Sequence, residues 1–189
     1  AGAVQPGDED DYFQSSLFTI ARRRILWLLI LVLANGLTTK VIAMNDQILK
    51  EIVLLAAFIP LLIGTGGNVG AQSSTVVIRG LSTQKLKSLG AIKAVVKEAI
   101  TGALLGVLMM LVVFPFAWWQ GEGPLIASAV GISLISITTL AATTGAILPL
   151  LFDKMKLDPA LMSSPFITTV TDIAGVFIYL STAKWLLSF

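Results

Sequence analysis

The sequence predicts an all-α membrane protein with five transmembrane helices per protomer. Three observations carry this. Of the 189 residues, 56% are hydrophobic and only 13% charged, against roughly 25% charged in a typical soluble domain. Five segments are apolar over the roughly 20 residues needed to cross a hydrocarbon core. Trp27, Trp118, Trp119 and Trp185 all fall near the ends of these segments, where aromatic belts form. A soluble helical bundle would need charged outer faces, and these segments have none.

The elements follow in order. Residues 1–21 form a polar, acidic N-terminal tail ("DEDD", Asp8 to Asp11), expected to be a linker from a cytosolic region outside the chain. Residue 1 is Ala rather than Met, so a fragment of a longer protein is expected. The acidic start is not a signal peptide, which begins with a basic region. Residues 22–189 form the membrane domain. Its spans are Ile25 to about Met44, Ile52 to Ile78, Ala99 to about Trp119, Pro124 to Phe152, and Phe166 to about Leu187. Lys40 is near enough to the end of its span to snorkel. The stretch "STQKLKSLGAIKAVVKEA" is weakly amphipathic and is expected along the membrane surface.

Basic residues set the orientation. Arg22, Arg23 and Arg24 precede the first span. Arg79, Lys85, Lys87, Lys93 and Lys97 lie between the second and third, and Lys154 and Lys156 between the fourth and fifth. That places ten of thirteen basic residues on one side. The positive-inside rule then puts the N-terminus in the cytoplasm and, after five spans, the C-terminus outside.

Asp172, in "SSPFITTVTDIAGVFIYL", is the strongest chemical feature. It lies about 9 Å into the fifth span at about 1.5 Å per residue. An ionised group there usually faces a bundle interior or a wet path. Ser164, Thr168 and Gly175, at i−8, i−4 and i+3, share its stripe. Small and hydroxyl side chains in line with a carboxylate suit a wet wall. The competing reading is a neutral carboxyl, or one bonded to a neighbouring helix.

The second span carries "GTGGNVGAQSST", from Gly64 to Thr75. Each glycine costs a helix about 1 kcal/mol relative to alanine. The run therefore marks either a break or a very close packing contact. A break would turn carbonyls toward a cavity, where they can coordinate cations. The spacing Gly64-x-Gly66-x-x-x-Gly70 is not a dinucleotide fingerprint, and no βαβ context surrounds it. The hydroxyls of the fourth span, Ser128 to Thr144, read as helix packing. Glu98 is expected to cap the start of the third span.

With no Cys and no His, neither disulfides nor thiolate or imidazole metal sites are available. The net charge of +2 is too small and scattered for nucleic-acid binding. An enzyme fits poorly: there is no H-E-x-x-H, no second embedded carboxylate and no base for a serine nucleophile. One embedded carboxylate per chain makes sense in a symmetric dimer. Two copies of Asp172 around one axis suit a divalent cation, with carbonyl, hydroxyl and amide oxygens from Asn68 or Gln72 nearby. Such hard oxygen donors favour Mg²⁺, Ca²⁺ or Mn²⁺, and Mg²⁺ sheds its water reluctantly.

The two stretches "GTGGNVGAQSSTVVIRGL" and "GAILPLLFDKMKLDPALMSSPFITTVTDIAG" resemble the transmembrane domain of the MgtE family of magnesium channels, from about Arg22 onward. The resemblance implies a homodimer in the cell membrane, its pore at the dimer interface between second and fifth helices. It implies that Asp172 recognises hydrated Mg²⁺, that Gly67 and Thr75 line the pore, and that Asp158 senses cations at the cytoplasmic face. Asn68, Ala71, Ser164 and Thr168 join the expected lining. Family members often carry Asn where this chain has Ala71 and Ser164, which admits Mn²⁺, Co²⁺ or Ca²⁺ beside Mg²⁺. Full-length members also have a cytosolic regulatory region, absent from this chain. The alternative is a non-transporting membrane anchor or assembly domain, with Asp172 as a packing residue.

Overall fold

The computed structural model describes residues 16–83, 86, 90–119 and 123–188. The acidic tail up to residue 15, Lys85 and Lys87 lie outside the described residues, as do the side chains of Trp27 and Ser164. The described chain is all helical: α1 (Leu17–Ala43), α2 (Asp46–Glu51), α3 (Leu54–Ser82), α4 (Ala91–Ala117), α5 (Gly123–Lys154) and α6 (Pro159–Leu187).

Four expected spans are long and apolar enough to cross a membrane: α3, α4, α5 and the Pro165–Leu187 part of α6. The first expected span is part of the 27-residue α1. Its apolar stretch among the described residues, Leu28–Ala43, is shorter than a full crossing. Ala91 to Ala99 are not a separate surface segment. They are the opening turns of α4, whose N-cap is Gly90 at φ 85°. Glu98 therefore lies two turns inside the helix and does not cap it.

The sharpest correction concerns the glycine run. There is no break: α3 is one 29-residue helix from Leu54 to Ser82. Gly66 and Gly70 face inward, where a side chain would not fit. A Cβ on Gly66 would stand 2.7 Å from Ile137 Cγ2 of α5, and one on Gly70 would stand 2.5 Å from Ile167 Cγ2 of α6 and 3.3 Å from the Ala141 carbonyl oxygen. Gly145 of α5 meets this helix from the other side. Its added Cβ would collide with the Gly70 carbonyl and come 3.1 Å from Ser73 Cβ. The same device joins α4 to α5. A Cβ on Gly102 would lie 2.5 Å from the Thr138 carbonyl oxygen and 2.6 Å from Ala142 Cβ. In lipid, where burial of apolar surface distinguishes no partner, small residues permit the close approach that holds helices together.

The result is a bundle centred on α5, which packs against α3, α4 and α6, while α1 packs on α6. The bundle has two unlike halves. At the α2 end, large side chains fill the core, among them Ile48, Leu55, Leu62, Leu134, Ile137 and Tyr179. At the other end the core narrows to Val69, Ala141 and Ala142, beside the glycine contacts. The buried Tyr179 hydroxyl donates to the Leu55 carbonyl at 3.1 Å, pinning α6 to the start of α3.

Most hydroxyls of α5 behave as expected of packing residues, although the buried Ser133 Oγ has no hydrogen-bond partner among the described residues. Ser128, Ser136, Thr138, Thr139 and Thr143 donate to carbonyls three or four residues back in their own helix. The turn from α5 to α6 is a Schellman motif. Leu157 N–H bonds to Phe152 O at 2.9 Å, and Lys156 N–H to Asp153 O at 3.0 Å. Lys156 takes the left-handed conformation, φ 59°, that such a cap requires.

Gly145→Ala is expected to destabilise the protein by about 1–3 kcal/mol, the usual range for overpacking. Gly64→Ala, where an added Cβ meets nothing within 4 Å, is expected to cost no stability and to add up to about 1 kcal/mol from helix propensity. Thermal unfolding of both variants in detergent checks the pair, and equal effects would contradict the packing role of Gly145.

Candidate functional site

The two motif-bearing helices, α3 and α6, run side by side in opposite directions. A Cβ on Gly66 would be 3.7 Å from Thr171 Cβ, and one on Gly67 would be 4.0 Å from Thr168 Cγ2. With Gly70 against Ile167, these contacts fix an antiparallel register. One more turn along α6 brings Asp172 to the height of Gly64. The helix pair thus joins the two motifs, which lie about a hundred residues apart in the chain.

The register divides the residues of α3 between two faces. Gly66, Val69, Gly70, Ser73, Ser74 and Val77 are buried. Gly64, Asn68, Ala71, Gln72 and Thr75 are exposed on the opposite side, and Gly67 sits at the boundary. On α6, Thr168 is exposed and Asp172 is partly buried, whereas Thr171 and Gly175 point inward. Gly67, Asn68, Ala71, Thr75, Thr168 and Asp172 therefore occur on two adjacent helices, with the α3 members along one outward edge. The backbone of Ser164 lies two turns before Asp172.

The hydroxyls of this edge are oriented by their own helices. Thr75 Oγ1 donates to the Ala71 carbonyl at 2.9 Å, and Thr168 Oγ1 to the Pro165 carbonyl at 3.0 Å. A hydroxyl whose proton is committed this way still offers oxygen lone pairs as acceptors. Among the described residues no Lys or Arg forms an ion pair with Asp172, and no three Asp, Glu, His or Cys side chains converge as a metal cage. The two helices thus carry one partly buried carboxylate, with amide and hydroxyl oxygens on the exposed residues. These are acceptors for the water protons of a hydrated cation rather than a shell that would strip the water away.

Asp158 is not part of this arrangement. It stands immediately before Pro159, the first residue of α6. Asp then Pro is the preferred N-cap and first-position pair of a helix, so Asp158 has a structural reason for its place. About 20 Å of helix, at about 1.5 Å per residue, separate it from Asp172.

Two residues of the exposed edge were not among the expected lining. Pro60 and Gly64 continue it beyond Asn68. Their signal is in the sequence: Pro60, Gly64, Asn68 and Gln72 recur every four residues, the spacing of one helical stripe.

Asp172→Asn is expected to leave the unfolding temperature of the protein nearly unchanged, within the roughly 0.5 kcal/mol typical of substitutions away from special contacts. A fall of several degrees in detergent would instead assign the carboxylate to helix–helix bonding.

Comparison with known proteins bears on the same segments. The family model MgtE, described as a divalent cation transporter, matches residues 59–182. The chain is 38% identical over 164 residues to the magnesium transporter MgtE of Thermus thermophilus, covering 87% of this chain and 36% of that protein. It is 34% identical over 176 residues to the magnesium transporter MgtE of Bacillus subtilis, covering 93% of this chain and 39% of that protein. The Enterococcus faecalis protein of the same name is 34% identical over 168 residues, covering 87% of this chain and 36% of its own length. The chain thus spans well under half the length of these relatives.

Proposed function

This chain belongs to the MgtE family of divalent cation transporters, and from that premise we propose that it carries Mg²⁺ across a membrane along the exposed edge of α3 and α6. The family is one of transporters, and the apolar helices make this a multi-pass membrane protein. The observation that supports the path most directly is the register of the two motif helices. It brings Asp172 to the height of Gly64, on the helix next to the glycine motif, which supports a shared path.

In this proposal the ion keeps its water. Mg²⁺ dehydrates reluctantly, and the small residues Gly64, Gly67 and Ala71 leave room for a hydration shell. Asp172 attracts the cation, while Asn68, Thr75, Thr168 and Ser164 receive hydrogen bonds from its waters. A carboxylate in a low-dielectric setting attracts a divalent cation far more strongly than one in bulk water.

The edge faces away from its own core, so a second copy is needed to close the path. We place two protomers around a twofold axis, a symmetry that supplies two Asp172 carboxylates for one divalent charge. Residues 22–189 form the conducting domain, and residues 1–21 link to a cytosolic regulatory region. With the 27-residue α1 counted as a fifth crossing, the distribution of basic residues favours a cytoplasmic N-terminus and an outer C-terminus. Asp158, on the cytoplasmic side in this orientation, is the candidate for cation sensing.

Flux into liposomes tests the proposal. Mg²⁺ uptake by the wild-type chain is expected to fall at least about tenfold in Asp172→Ala, the loss of about 1.4 kcal/mol or more in ion recognition, with the variant still folded and dimeric. Undiminished uptake in the variant would remove Asp172 from the path. Absence of flux in both, with the dimer broken by the substitution, would favour a membrane anchor. Substituting Ala71→Asn and Ser164→Asn is expected to increase the preference for Mg²⁺ over Mn²⁺, Co²⁺ and Ca²⁺ in the same assay.

A further inference from the structure

The surface made by α4 and α5 takes no part in the edge of α3 and α6. Two adjoining apolar hollows flank the first turns of α4. One, of about 290 Å³, lies between α4 and α5 against Val95, Ile147, Leu150 and Leu151, with Lys154 among its lining. The other, of about 380 Å³, is a shallow depression formed by α4 alone along its outer side, past Ile100 and Thr101, with Lys93 and Lys97. Ile92 and Val96 line both hollows and form the ridge between them, 81% and 51% exposed.

The basic charges gather at one end; the acidic Glu98 of the same turns lines a separate hollow against α3, and the exposed Asp153 precedes Lys154. Lys93 and Lys97 occupy the first two turns of α4, and Lys154 is the last residue of α5. All three are exposed. Among the described residues none of them forms an ion pair. The N-terminus of α4 adds the positive end of its dipole to the same place.

We propose that this surface is a binding site for one acidic phospholipid. Its phosphate lies among Lys93, Lys97 and Lys154, and its two acyl chains occupy the two hollows on either side of the Ile92–Val96 ridge. Charge complementarity selects the headgroup. Three ammonium groups attract a net-negative phosphate ester, whereas a zwitterionic headgroup would bring its own cation into their midst. The hollows select a lipid over a soluble phosphate, because apolar walls within the hydrocarbon region are filled by acyl chains. Basic groups between membrane helices near the headgroup level recognise acidic lipids in this way, each contributing about fivefold in affinity. This site does not depend on the path proposed for the ion.

Native mass spectrometry of the full chain in detergent, titrated with phosphatidylglycerol or phosphatidylcholine, tests it. The wild type is expected to retain one phosphatidylglycerol per protomer with at least about tenfold preference over phosphatidylcholine. Lys93→Gln, Lys97→Gln and Lys154→Gln together are expected to lower that affinity about a hundredfold, as three charges at about fivefold each imply. The triple control Lys40→Gln, Lys50→Gln and Lys184→Gln, drawn from the other end of the bundle, is expected to retain the preference. Val95→Trp, which fills the hollow between α4 and α5, is expected to weaken both lipids. Soluble glycerol phosphate is expected not to compete. Equal retention of the two lipids by the wild type would overturn the site without recourse to any variant. So would a preference that survives the loss of the three lysines, or displacement by glycerol phosphate.

Discussion

Close approach of helix backbones is the interaction on which this structure depends. Its long helices are apolar on nearly every side, so in lipid they gain little by covering one face rather than another. What distinguishes a correct neighbour is how near it can come. Gly66 and Gly70 of α3, Gly145 of α5 and Gly102 of α4 occupy points where a Cβ would strike a neighbouring helix. Dispersion contacts, individually small, accumulate only where two surfaces meet without a gap. The glycines create those surfaces at the narrow end of the bundle, and large side chains such as Tyr179 and Leu134 fill the wide end.

The same packing creates the candidate path. A continuous α3 keeps its backbone hydrogen bonds inside the helix, as the bilayer demands. It therefore cannot offer a broken segment of free carbonyls to an ion. What it offers is a narrow outward edge of small and polar side chains, held against α6 by the inward glycines. The two sets of residues alternate along one motif. Inward positions set the distance between the helices, and outward positions stay uncovered by the protomer's own core. An ion that keeps its hydration shell needs this second arrangement, because the contacts are then hydrogen bonds to water and not direct bonds to metal.

The ends of the helices follow local rules. The Schellman turn after α5 and the Asp158–Pro159 start of α6 reverse the chain within a few residues. This short connection keeps α5 and α6 adjacent, and Lys154, the last residue of α5, lines the hollow beside α4. Lys93, Lys97 and Lys154 thereby line the hollows on either side of the Ile92–Val96 ridge.

Much of this was legible from composition and pattern. Apolar length located the membrane helices, since only about 20 consecutive apolar residues can cross the hydrocarbon, and the hydroxyls of α5 were recognisable as packing residues. A lone Asp172 in an apolar segment marked itself by its cost. The glycine run was ambiguous, because glycine both weakens a helix and permits close contact. Nothing local decides between the two. The decision required Ile137, Ala141, Gly145 and Ile167, which lie on helices far along the chain. The start of α4 was placed too late for a related reason: the polar residues Lys93, Lys97 and Glu98 mask the helix that continues through them. Composition and apolar length alone establish an all-helical membrane protein, four of its spans and an aspartate within an apolar segment, because each follows from transfer of residues into lipid. That α3 is unbroken, which of its residues face outward, and that Asp172 stands level with Gly64 emerge only from the packed helices. Those depend on which surfaces can approach most closely, a property of pairs of helices that no single segment contains.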